Sequence, residues 1–128
     1  MPDQLHSPMV VGAATVFRVS DVAASTAYYR DVLGFTVTFE FGKPIYYVCL
    51  QRDEAALHLN NKSPQQPGNG ALCLFVRDVD AVHAELARRG AKIPKPPQDY
   101  AYGMRDFDVY DPDGNRITVG TGTDEHKG

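Results

Sequence analysis

A chain of 128 residues is most simply one domain, able to bury about two-thirds of its unfolded surface. Hydrophobic residues at 43% and charged residues at 23% are the balance of a soluble globular protein, and 13 basic against 16 acidic side chains, a formal charge of −3, count against nucleic acid as a partner. No run approaches the ~20 apolar residues of a membrane-spanning helix.

The opening "MPDQLHSPMVVG" lacks the basic start and long apolar core of a signal peptide, so the expected location is the cytoplasm. Thr15, Phe17 and Val19 then alternate with Val16 and Arg18, as a strand with one buried face does. "RVSDVAASTAYYRDVLGF" (18–35) continues as strand, capped helix and stop. Asp21 is a natural N-cap, and Gly34 suits the left-handed position after the last turn. Val22, Thr26, Tyr29 and Leu33 fall on one helical stripe. Strand-like "FTVTFEF", "IYYVCLQ" and "ALHLN" follow, and "NNKSPQQPGNG" (60–70) is turn and linker chemistry. Cys49 and Cys73, without CxxC spacing inside "YYVCL" and "ALCLFV", read as small buried hydrophobes.

"FVRDVDAVHAELARRGA" (75–91) repeats the first unit. Val76, Asp78 and Val79 match Val19, Asp21 and Val22 at a spacing of 57, and Gly90 matches Gly34 after one deletion. Val79, Val82 and Leu86 form the second stripe, with His83 on its flank. A Pro-rich connection, "AKIPKPPQD", leads to "RDFDVY" and "RITVG", the latter following the turn-forming "DPDGN". The expected fold is α+β, one domain over 1–128. It is two tandem βαβββ modules, about 14–60 and 71–121, joined by a linker over 61–70. Helices cover one face of each sheet and leave the other to be filled or occupied.

No GxGxxG, Walker loop, GxSxG or HExxH is present in the sequence. His6 and His126 fall in polar termini. "RDVLGF", "LHL", "DVDAVHAELARRGA" and above all "YGMRDFDVYDPDGN" resemble the vicinal oxygen chelate superfamily, which includes glyoxalase I, the extradiol dioxygenases and the bleomycin and fosfomycin resistance proteins. The resemblance spans Ala14 to Thr121 and is nearest to the bleomycin-resistance branch. It implies modules curling into a cupped mixed sheet, commonly as a homodimer, with a drug held in crevices at the dimer interface. Metal-dependent relatives place ligands at the positions that are Ala14, His58, Ala71 and Thr118 here. A catalytic zinc typically takes three protein donors, and only His58 is a strong one, so the resemblance implies neither metal nor cofactor.

Strand parity supplies the rest of the candidate site. Leu57 and Leu59 take one face and His58 the other; its neutral imidazole holds both a donor and an acceptor. Arg18 shares the face of the family's first ligand position. Leu72, Leu74 and Val76 leave Cys73 and Phe75 inward, and Phe107 and Val109 leave Asp106, Asp108 and Tyr110 opposite them. Such carboxylates attract a cation. Phe39, Tyr46, Tyr47, Tyr100 and Tyr102 offer aromatic wall suited to planar or cationic ligands, beside Gly103, Met104 and Arg105. By resemblance, Phe39 matches a Phe lining the drug crevice and Tyr102 a position often filled by Trp. The candidate ligand-binding set is therefore Arg18, Phe39, Tyr47, His58, Phe75, Tyr102, Arg105, Asp106, Asp108 and Tyr110. The leading expectation is metal-independent sequestration of a small cationic or aromatic molecule, as in antibiotic resistance. The alternatives are a lyase, isomerase or glyoxalase-like enzyme using His58 with Arg18 or Tyr47 or a metal held in unexpected positions, and a dimeric scaffold that binds nothing.

Overall fold

The computed structural model describes residues 7–123, so His6 and His126 lie outside the described residues. The first half runs β1 (Thr15–Arg18), α1 (Val22–Ala27), β2 (Thr36–Gly42), β3 (Ile45–Arg52) and β4 (Ala55–Asn60). The second runs β5 (Ala71–Phe75), α2 (Val79–Arg88), β6 (Gln98–Tyr100), β7 (Met104–Tyr110) and β8 (Arg116–Gly122). Each half folds into a four-stranded mixed sheet, ordered β1-β4-β3-β2 and β5-β8-β7-β6. The first strand of each sheet lies parallel to the last, and the other pairs are antiparallel. A parallel pair cannot be closed by a hairpin, which is why a helix intervenes after β1 and β5. The expected α+β fold of two βαβββ modules is what the chain forms, one mixed sheet to each module, with β1 and β5 as free edges.

Both helices start as the sequence predicts. The Asp21 carboxylate accepts from the Ala24 N–H at 3.0 Å and the Asp78 carboxylate from the Ala81 N–H at 3.0 Å, each cap contributing about 1 kcal/mol. Gly34 and Gly90 stop them at φ +80° and +89°. A π-helical turn over Tyr28–Val32 continues α1, closed by Leu33 N–H donating to the Tyr28 carbonyl at 3.1 Å. Val22, Tyr29, Leu33, Val79 and Leu86 from the helices join Phe17, Leu57, Leu59, Phe107, Val109, Ile117 and Val119 from the sheets in one buried cluster. The two cysteines are placed otherwise than expected: Cys49 is half-buried and Cys73 exposed, because Val48, Leu50, Leu72 and Leu74 take the helix side. Among the described residues no helix is long and apolar enough to cross a membrane.

"DPDGN" joins the two halves. Asp111 is 2% exposed and Asn115 0%. Asp111 accepts from the backbone N–H groups of Asp113, Gly114 and Asn115, from the Tyr29 hydroxyl, and from Asn115 Nδ2. Asn115 also reaches the Arg18 carbonyl and takes the Gly70 N–H. Asp113 takes both the backbone N–H and the hydroxyl of Ser20. The adjacent Tyr28 hydroxyl donates to the Tyr110 carbonyl at 2.7 Å. On the other side Arg52 donates to the Leu33 carbonyl and to Glu85 of α2.

Burial, with the Asp111 charge beside it, pushes the Tyr29 hydroxyl far above its ordinary value. An unfolded tyrosine ionises near pH 10, so above that pH the unfolded chain binds fewer protons than the folded one. Stability unaffected by this group below about pH 10 therefore falls as pH rises past it, by up to about 1.4 kcal/mol per unit. Urea unfolding between neutral and strongly alkaline pH should show that slope, and Tyr29→Phe should reduce it. An identical slope in the variant would remove Tyr29 as its source.

Candidate functional site

Cross-strand register assigns the faces, because residues aligned on neighbouring strands point the same way. In the first sheet Val16, His58, Cys49 and Phe39 form one row; Arg18, Asn60, Tyr47 and Phe41 form the next. Both rows lie opposite the buried Phe17, Leu57, Leu59, Val48 and Leu50. In the second sheet the matching rows are Cys73, Thr118 and Asp108, then Phe75, Gly120, Asp106 and Gln98.

Phe39 reaches its row through an irregularity. Strict alternation would put Phe35, Val37, Phe39 and Phe41 on one face. The register shifts between Val37, opposite Leu50, and Phe39, opposite Cys49, so Thr38 is an extra residue. This β-bulge re-aims the strand. Phe35 stays in the core, while Phe39 and Phe41 emerge 55% and 54% exposed and stack at 6.4 Å.

The polar groups on these faces come in pairs. The Tyr47 hydroxyl and His58 Nδ1 share a hydrogen bond of 2.8 Å, with their rings edge to face; burial raises the Tyr47 hydroxyl. Thr118 donates to Asp108 Oδ1 at 2.6 Å. Where a metal-binding relative has a ligand, this strand supplies a hydroxyl that occupies a carboxylate. Tyr102 donates to Asp106 at 2.7 Å, and that bond pushes its hydroxyl up to about 12. Tyr100 and Tyr102 stack with ring centroids 5.2 Å apart.

Arg105 is placed apart from the other candidates. It shares the parity of Phe107 and Val109, so it lies on the helix side, in ion pairs with Asp80 of α2 at 2.9 Å and Asp99 at 3.3 Å. Tyr110 stands at the end of β7, opposite Arg116, and its carbonyl holds Tyr28. Phe75 is 79% exposed on the free edge of β5. Phe41 and Thr118 belong to the same faces; the alternation in "FEF" is the signal that could have added Phe41 to the candidates.

Within one chain the donors do not fit the family's metal. Among the described residues no three His, Cys, Asp or Glu side chains group so as to hold an ion. The four family positions hold Ala14, His58, Ala71 and Thr118, and the Thr118 oxygen is bonded to Asp108. A cleft of about 1060 Å³ opens instead at the β5 edge. Leu72, Leu74, Val76, Val82 and Leu86 line one wall, and Leu33, Phe35 and Ala13–Thr15 the other. Its lining does not include Tyr47, His58, Asp106 or Asp108.

A family model described as the Glyoxalase/Bleomycin resistance protein/Dioxygenase superfamily matches residues 12–119. No curated protein matches the sequence. Among solved structures the chain is similar to the bleomycin-binding protein of bleomycin-producing Streptomyces verticillus in complex with copper(II)-bleomycin, at 27% identity and TM-score 0.76, covering 91% of this chain and 100% of that one. It is similar to TnmS3, an antibiotic-binding protein from a Streptomyces species, at 26% identity and TM-score 0.77, with 92% and 100% covered. A glyoxalase / bleomycin resistance protein from Catenulispora acidiphila is 30% identical over 89% of this chain and 100% of that one, at TM-score 0.74.

Proposed function

Because this chain belongs to the Glyoxalase/Bleomycin resistance protein/Dioxygenase superfamily, we propose that it is a metal-independent binding protein of the bleomycin-resistance type. It sequesters a small aromatic, cationic drug or metabolite in the cytoplasm without turnover. The observation carrying this reading is the pairing of exposed aromatics with carboxylates: Phe39 and Phe41 on one sheet, Tyr102 with Asp106 and Asp108 on the other. Flat π faces attract cations by about 0.5–2 kcal/mol each, and the two carboxylates add charge. The likeness to bleomycin- and antibiotic-binding proteins supports the same reading.

A second copy completes the cup in this proposal. β1 and β5 are free edges, and an unpaired edge is a template for another chain. Just ahead of β1, Met9, Val10 and Val11 are 91%, 82% and 94% exposed. The cleft beside β5, lined by Leu72, Leu74 and Val76 as well as by Arg52, Asp53, Glu54, Arg77 and Asp78, is the surface this arm suits. Under two-fold symmetry β1 of each copy meets β5 of the other, so both contacts form at once. The inner face of one copy's first sheet then adjoins that of its partner's second.

Titration with copper(II)-bleomycin and a panel of cationic aromatic compounds tests the reading, with saturation expected at one ligand per chain. His58→Ala and Tyr102→Ala should each weaken the bound compound by at least about 1 kcal/mol. Unchanged affinity in both folded variants would displace the site. One equivalent of tightly held divalent metal in the purified protein would overturn the metal-free reading. The Tyr47–His58 hydrogen bond favours one second reading, acid–base catalysis in the same cup. Chemical change of a bound compound, lost in His58→Ala, would mark it.

A further inference from the structure

We propose that Arg18 heads a carboxylate-binding subsite between β1 and the 61–70 linker, so that the sequestered ligand carries an acidic group as well as its aromatic, basic part. The inference rests on the reading of this face as a ligand wall. A cavity of about 400 Å³ lies there, lined by Val16, Arg18, Gln65, Gln66, Asn69 and Gly70. Arg18 is half-buried and its guanidinium already oriented: Nε donates to the Ser63 carbonyl at 2.8 Å and Nη1 to the Val19 carbonyl. Among the described residues no carboxylate pairs with Arg18, and Nη2 has no hydrogen-bond partner. A planar fork fixed by two carbonyls loses little further freedom on meeting a carboxylate, and such charge-assisted bonds are the strong ones. Gln65, Gln66 and Asn69 bring amide donors to the same cavity.

His58 extends the donor surface. It stands one row along from Arg18 on the same face, next to Val16. The Tyr47 hydroxyl and His58 Nδ1 share a hydrogen bond, and Nε2 has no partner among the described residues. In the tautomer this proposal assigns, Tyr47 donates to Nδ1 and the neutral ring carries its proton on Nε2. The first sheet therefore offers donors and the second, through Asp106 and Asp108, acceptors. A ligand spanning them is acidic at one end and basic at the other, with a flat apolar middle.

The test compares 2-naphthoate with neutral 2-naphthamide on the full chain at neutral pH, by calorimetry or chemical-shift titration. Naphthoate should bind at least about tenfold more tightly, since one bond to a charged group is worth that much. Arg18→Gln should erase the difference, while Arg18→Lys, retaining the charge, should keep part of it. Nitrogen NMR should show His58 Nδ1 unprotonated and Nε2 protonated in the neutral ring. Equal affinities, a preference surviving in a folded Arg18→Gln, or no naphthoate binding would each overturn the subsite. The unsubstituted protein alone decides the first and last of these, whatever the variants do. Copper(II)-bleomycin is titrated into the same sample. Drug binding without a naphthoate preference sinks the subsite and leaves the drug-binding reading; the preference without drug binding does the reverse.

Discussion

Asp111→Ala should lose at least about 4 kcal/mol of unfolding free energy, since a stranded buried donor costs about 1–3 kcal/mol and this carboxylate serves several. Its Oδ1 accepts three backbone N–H groups, each at 2.9 Å. Its Oδ2 takes the Tyr29 hydroxyl at 2.9 Å and Asn115 Nδ2 at 2.8 Å. Tyr29 and Asn115 are both 0% exposed, so water cannot reach them to replace the lost acceptor without opening the junction. Asp111→Asn keeps the shape but turns an NH₂ toward donors, and about half that loss is expected. Tyr29→Phe removes one bond and should cost about 1–2 kcal/mol. Urea midpoints and slopes measure all three. A loss below about 1 kcal/mol for Asp111→Ala would mean that this turn does not hold the halves together.

Starting the chain at Ala13 should weaken self-association by at least about 100-fold and leave the unfolding curve in place at concentrations where the full chain is monomeric. Met9, Val10 and Val11 are almost fully exposed within one chain, so removing them takes nothing from its core. Buried in a partner, each side chain would contribute about 1.5–3 kcal/mol, and two-fold symmetry counts each twice. Ordering the arm consumes part of that gain. Sedimentation across a dilution series reads the change, and bleomycin titration should weaken in step, since the proposed pairing takes half of each cup from the other copy. A truncated chain that pairs as tightly as the full one would exclude the arm from the contact.

Local chemistry made the fold legible. The Asp caps, the glycine stops and the two apolar stripes are short-range signals, and each appears in the structure at the expected residue. Parity likewise placed His58, Asp106 and Asp108 on the faces away from the core. Three features were missed. The bulge at Thr38 reverses parity within β2, and nothing in "FTVTFEF" announces an extra residue. The motif sets Arg105 beside Asp106 and Asp108, but the parity that buries Phe107 puts it on the helix side; its partner Asp80 is 25 residues away. The connection "AKIPKPPQD" also hid the start of a strand, since three prolines obscure the short β6 that begins at Gln98.

That short strand has a bearing on solubility. β6 is three residues long, follows Pro94, Pro96 and Pro97, and closes the outer margin of its sheet; β2, at the other outer margin, carries the bulge. Proline, brevity and irregularity all discourage a stranger's backbone from zipping on. With β1 and β5 taken up in the proposed pairing, open-ended stacking into fibrils is obstructed at the remaining two edges, and a concentrated solution of this protein should stop at small, countable assemblies.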